Sequence, residues 1–154
     1  MFFPATVEYA LRAMALLVRQ EPDERMRADE IARATNVPKP YLSKILRKLV
    51  LAGLLDATKG HGGGFRLARS PDTLVLADVF EAVGYDMHAE RCVFGWARCS
   101  DDHPCPLHHA WFDLKNRLRD WSETTPLRPI LDEVHLSKGS ASTTARVKHG
   151  RLTQ

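Results

Sequence analysis

Outside residues 92–105 the sequence has no cysteine, and Cys92, Cys99 and Cys105 all fall within those fourteen residues. An odd number of cysteines gathered in one place excludes a disulfide framework, and scattered core cysteines would not cluster this way. No stretch approaches the roughly 18 consecutive apolar residues of a membrane span. The opening Met1-Phe2-Phe3-Pro4 lacks the basic start and cleavage site of a signal peptide, so a cytoplasmic protein with no membrane partner is expected. The glycines of residues 60–64 are not followed by a Lys-Ser or Lys-Thr pair, which excludes a P-loop. No paired carboxylates, triad-like set or cofactor-binding glycine fingerprint supports an enzyme.

What is present is enough for a core. With 154 residues, 44% of them hydrophobic, the chain suits one domain, or a small domain with an appended helix. The net charge of +3 is mild, but its distribution is not even. From Lys39 to Arg69 seven basic residues face Asp56 alone, a net of +6; from Asp72 to Asp102 seven acids face Arg91 and Arg98, a net of −5. A basic block followed by an acidic one suggests a part that meets a polyanion and a part that does not.

Apolar residues at Val7, Ala10, Leu11, Met14, Leu17 and Val18 keep helical rhythm over residues 4–19. A short helix is expected from Ala28 to Ala34, then a turn at Thr35-Asn36-Val37-Pro38 in which Asn36 takes a left-handed conformation. The next helix, Lys39 to Ala52, is read as burying Tyr41, Leu42, Ile45, Leu46 and Leu49, with Gly53 ending it. Two short extended segments, 54–58 and 65–68, flank a glycine-rich hairpin tip. A further helix spans Leu76 to Val83, and no periodicity holds from Gly84 to Pro104. A long helix from Pro106 through Trp121 places Trp111, Leu114, Leu118 and Trp121 on one face. The fold class is therefore mainly α: a winged helix-turn-helix with a small β-hairpin wing, a cysteine loop and a long helix. The expected boundaries are 1–83 for the DNA-binding domain, 84–105 for the loop and 106–136 for the long helix with its packing segment. Residues 137–154 read as a disordered tail.

Two chemical features stand out. The second helix of the helix-turn-helix carries Lys39, Ser43, Lys44, Arg47 and Lys48 opposite its apolar set, and the hairpin carries Lys59, His61 and Arg66. Cations and hydrogen-bond donors on such a helix suit a DNA major groove, and glycines in a basic hairpin let backbone approach phosphates or a minor groove. A winged helix that binds only protein is the competing class. The second feature is Cys92-x6-Cys99-x5-Cys105 followed by Pro106-Leu107-His108. Soft thiolates select zinc, copper(I) or an iron–sulfur cluster, and gaps of six and five are too wide for the usual zinc knuckle. A loop wrapping a cluster suits these gaps better; a metal-free thiol switch, zinc and a redox enzyme remain the alternatives.

Together these residues resemble the family of small winged-helix iron–sulfur regulators that includes IscR, NsrR and RirA. The motifs that carry the resemblance are Glu8-Tyr9-Ala10-Leu11-Arg12, Glu30-Ile31-Ala32, Val37-Pro38-Lys39-Pro40-Tyr41-Leu42, Gly60-His61-Gly62-Gly63-Gly64-Phe65-Arg66-Leu67, Leu76-Ala77-Asp78-Val79 and Cys105-Pro106-Leu107. The resemblance covers roughly residues 5–135. It implies a transcriptional repressor that binds a palindromic double-stranded operator as a homodimer, with the long helices crossing. Lys39, Tyr41, Ser43, Lys44 and Arg47 would approach the major groove, and Lys59, His61 and Arg66 would anchor the wing. It further implies that Cys92, Cys99 and Cys105 ligate a cluster completed by His108, or by Glu8 from the other subunit. This sequence holds both candidates, and with the wider first gap they favour [2Fe–2S] over [4Fe–4S]. The first gap is one residue longer than the family's usual one. Ser43 stands where some members have an acid that discriminates between operators, so the operator sequence does not carry over.

Overall fold

Pro4, with φ near −58° and an extended ψ, turns the chain into the first helix, α1 (Ala5–Leu17). The computed structural model describes residues 3–86, 92–95 and 102–128. Its elements continue as α2 (Ala28–Thr35), α3 (Lys39–Leu51), β1 (Leu55–Thr58), β2 (Gly64–Leu67), α4 (Leu76–Ala82) and α5 (His108–Thr124). The five helices and antiparallel hairpin of the described residues give the expected winged helix-turn-helix, each boundary lying within three residues of the expected one. Cys99, half of the expected cysteine loop and the whole expected tail lie outside the described residues.

The core forms where α1, α2, α3 and α4 meet. Ala10, Ala13 and Ala15 of α1 are buried, and their small side chains let α2 and α3 approach closely. Ile31, Leu42, Leu46, Leu49, Val79 and Phe80 fill the space between them and are fully buried. Burying each such side chain contributes about 1.5–3 kcal/mol before conformational entropy is counted. Leu11, expected in the buried stripe, is only half-buried. Phe3, Phe80 and Tyr85 pack as an aromatic trio with centroids 5.1–5.8 Å apart, joining the start of α1 to the end of α4.

Three helices end in the same way. After α2, Asn36 takes the expected left-handed conformation (φ 53°), and the Val37 N–H donates to the Ala32 carbonyl at 3.1 Å. After α3, Gly53 (φ 72°) lets the Leu54 N–H reach the Leu49 carbonyl at 2.9 Å. After α4, Gly84 does the same for the bond from Tyr85 to Phe80, at 2.8 Å. Each is a left-handed closure that satisfies the last carbonyls; Val37 and Leu54 just beyond the helix are buried, and Tyr85 is half-buried. At their starts, α2 and α4 use acids: the Glu30 and Asp78 carboxylates accept the Arg27 and Val75 backbone N–H groups at 2.7 and 2.9 Å.

Two long-range pairings tie the layout together. Met26, between α1 and α2, bridges Phe65 of β2 through two backbone hydrogen bonds of 3.0 and 2.8 Å. Val75 pairs with Pro126, and the Leu127 N–H donates to the Leu74 carbonyl at 2.9 Å, so the chain beyond α5 returns to the segment before α4. Leu74 and Leu127 are both fully buried there.

Candidate nucleic-acid interface and cysteine pair

The buried stripe of α3 is Leu42, Ile45, Leu46 and Leu49. Tyr41, expected inside, is instead 62% exposed, because the stripe centred on Leu42, Leu46 and Leu49 leaves it beyond the edge that turns to the core. It therefore joins Lys39, Ser43, Lys44 and Arg47 among the exposed side chains of the helix. Pro38 as the N-cap and Pro40 in the first turn start α3 without losing an intrahelical bond.

Two cations of α3 are already engaged. The Lys39 ammonium lies 2.6 Å from the Asp29 carboxylate across the helix-turn-helix. Its hydrogen bond, supported by the positive charge, holds the Asp29 carboxyl below its ordinary value. Lys48, expected on the free outer face, donates instead to the Val83 carbonyl at 2.8 Å, at the end of α4. A cation suits that place, since the carbonyls at a helix end carry partial negative charge.

The wing pairs Leu55 with Leu67 and Thr58 with Gly64, leaving residues 59–63 as its tip. Lys59 and His61 are exposed there. The tip is less free than its glycines suggest: Gly63 and Gly64 are buried, and the Gly63 N–H donates to the Gly60 carbonyl at 3.1 Å. A Cβ on Gly64 would stand 2.7 Å from the Met26 carbonyl oxygen. Arg66 turns to the wing's root, 3.5 Å from Asp23, 3.6 Å from Asp56 and 3.5 Å from the Pro22 carbonyl. It ties the wing to the α1–α2 connection. The Met26 bridge behind this arrangement had no sequence signal, because a single paired residue has no periodicity.

Of the cysteine set, the described residues place two members together. The sulfurs of Cys92 and Cys105 lie 3.8 Å apart, with Cys92 buried and Cys105 half-buried. The His108 N–H donates to the Cys105 carbonyl at 2.9 Å, so a thiol and an imidazole share the turn that opens α5. The His108 side chain is buried, its ring nearly parallel to that of Phe112 at 6.3 Å. Glu8 lies half-buried in the first turn of α1. Among the described residues no three His, Cys, Asp or Glu side chains converge as a metal-holding group within this single chain.

Comparison with known proteins agrees with this architecture. Residues 3–133 match the model of the Rrf2 family, described as iron-dependent transcriptional regulators. An HTH-type transcriptional regulator of Aquifex aeolicus is 35% identical over 140 residues, covering 88% of this chain and 96% of its own. The regulator IscR of Aliivibrio salmonicida is 26% identical over 147 residues, covering 94% of this chain and 87% of its own. Among solved structures, CymR of B. subtilis has a TM-score of 0.73 at 18% identity, covering 88% of this chain and 99% of that one. IscR of T. potens has a TM-score of 0.69 at 18% identity, covering 92% and 94%. The chain belongs to the Rrf2 family of DNA-binding, helix-turn-helix transcriptional regulators.

Proposed function

We propose that the protein is a cytoplasmic, homodimeric repressor whose affinity for a palindromic operator is set by an iron–sulfur cluster. The observation that carries this reading is the Cys92–Cys105 pair, 3.8 Å between sulfurs although thirteen residues apart, with His108 one turn away. Two thiolates bound to one tetrahedral metal by bonds of about 2.3 Å sit about 3.8 Å apart, so the pair fits a shared metal. In a [4Fe–4S] cluster each thiolate belongs to a different iron, and the thiolates point away from one another. The short separation therefore favours [2Fe–2S], which Cys92, Cys99 and Cys105 would hold together with His108, or with Glu8 of the partner subunit. When bound, the cluster would supply a redox- and ligand-sensitive link between the cysteine segment and the start of α5.

The chain's own residues supply the rest. Ser43 and Arg47 face the major groove, Tyr41 and Lys44 approach it at its sugar–phosphate edge, and Lys39 is shared between Asp29 and the DNA. Lys59 and His61 meet the backbone or minor groove at the wing tip, and Arg66 contributes by holding the wing in place. Because dimers read half-sites at a fixed separation, a small rotation of the protomers changes affinity sharply. No helix among the described residues is long and apolar enough to cross a membrane.

Anaerobic purification with absorption spectra and iron and sulfide analysis tests the cluster. About two irons and two sulfides per chain are expected for [2Fe–2S]; a colourless, zinc-containing protein sinks it. The same 3.8 Å separation also favours a second reading, a metal-free thiol regulator in which the pair closes to a disulfide on losing two electrons and two protons to an oxidant. A CymR of Staphylococcus aureus, with a TM-score of 0.69 at 20% identity, has been solved in an oxidized form. Iron-free protein whose DNA affinity changes reversibly with dithiothreitol, and loses that response in Cys92→Ser, would establish this reading instead.

A further inference from the structure

Between the first turns of α1 and the side of α3 runs a groove of about 420 Å³. Thr6 and Tyr9 stand on one wall, and Tyr41, Lys44, Ile45 and Lys48 on the other. The α3 residues recur at i, i+3, i+4 and i+7, the stripe that one helix shows to a neighbour. Ile45 is buried, whereas Tyr41 and Lys44 are exposed. Lys48 gives its ammonium to the Val83 carbonyl, so the charge it brings to the lining is committed. Tyr9 is half-buried, and the Arg12 guanidinium lies 5.6 Å from its ring centroid.

We infer that this groove clamps a phosphate of the DNA backbone, with the hydroxyls of Thr6, Tyr9 and Tyr41 donating to its oxygens and Lys44 supplying the charge. The inference rests on the DNA-binding reading and extends the interface from α3 to α1. A helix seated in a major groove about 12 Å wide leaves the sugar–phosphate wall to the element packed along its side. That element includes α1, whose first turns flank the exposed stripe of α3. Hydroxyl donors and an ammonium, with no carboxylate in the lining, suit a phosphodiester. The contact positions the protein and carries no sequence information.

The test uses the full chain, a duplex enriched from a random pool by the wild-type protein, and an unrelated mixed-sequence duplex. Thr6→Val and Tyr9→Phe each remove a hydroxyl at nearly constant shape. Each is expected to weaken binding to both duplexes by roughly tenfold, the size of one hydrogen bond to a charged group, without changing the salt dependence. Lys44→Gln is expected to reduce the slope of log affinity against log salt by about one. In a methylphosphonate scan, neutralising one phosphate per half-site should be non-additive with Tyr9→Phe. Wild-type affinity in both hydroxyl variants, or additivity at every phosphate, overturns the clamp and leaves the DNA-binding reading standing. If the wild-type protein enriches no duplex, both fall.

Discussion

Lys39 stands at the first position of α3 with its ammonium 2.6 Å from Asp29, and both side chains are about 60% exposed. An ion pair so open to solvent contributes little to stability. Its consequence lies in the charge presented to DNA, because Asp29 neutralises a cation of the recognition helix and adds an anion beside it. Asp29→Asn is expected to raise operator affinity several-fold and to steepen the salt dependence by about one phosphate contact; unchanged titrations at two salt concentrations would show that Lys39 does not meet DNA. The sign with pH follows from the lowered carboxyl. The tie is complete above the usual carboxylate range and is lost as pH falls through the lowered value of Asp29. Tyr41 shows the limit of reading at this scale. The turn at Asn36 and the end at Gly53 were legible because a left-handed residue has a local chemical signature. Whether Tyr41 or Leu42 faces inward was not, since both are apolar and only the packing of α1 and α2 against α3 sets the helix's rotation.

The wing and the end of α4 depend on neighbours distant in sequence. Gly64 has φ 154°, and a Cβ there would meet the Met26 backbone rather than a yielding side chain. Gly64→Ala is therefore expected to cost about 2 kcal/mol or more of unfolding free energy and to free the wing, as read by urea titration and by faster amide exchange at Phe65. An unchanged midpoint would mean that the Met26 bridge does not anchor the hairpin. Lys48 joins the last turn of the recognition helix to the end of α4, immediately before the chain enters the cysteine segment. Lys48→Met keeps the apolar stem and removes the donor. A loss of about 1 kcal/mol is expected, with faster exchange at Gly84 and Tyr85; wild-type exchange there would show that the carbonyl has no need of the ammonium. The elements themselves were legible from apolar periodicity. Their long-range partners, Met26 for the wing and Lys48 for α4, were not, because one bridge residue and one flexible amine leave no pattern.

For the molecule as a whole, α5 presents apolar surface that the other described residues do not cover. Leu114 and Trp121 are 47% and 44% exposed on the face that also holds the half-buried Trp111 and Leu118. With the end of α5 fastened back to the segment before α4, this face stands in a fixed relation to the recognition helix. The proposed dimer covers it. Leu114→Asp is expected to give a folded monomer by light scattering and circular dichroism, with operator affinity down at least tenfold once the half-sites are no longer read together. A dimer that survives this change, or a wild-type monomer, would place the interface elsewhere or remove it. The sequence by itself determined the winged helix-turn-helix, its charge asymmetry and the gathering of three cysteines, because periodicity, caps and composition act over a few residues. Only the tertiary structure decided that Tyr41 faces outward, that Lys48 and Arg66 hold the scaffold together, and that Cys92 and Cys105 meet. Those outcomes turn on which long side chain reaches which distant partner, and that is fixed only when the helices dock.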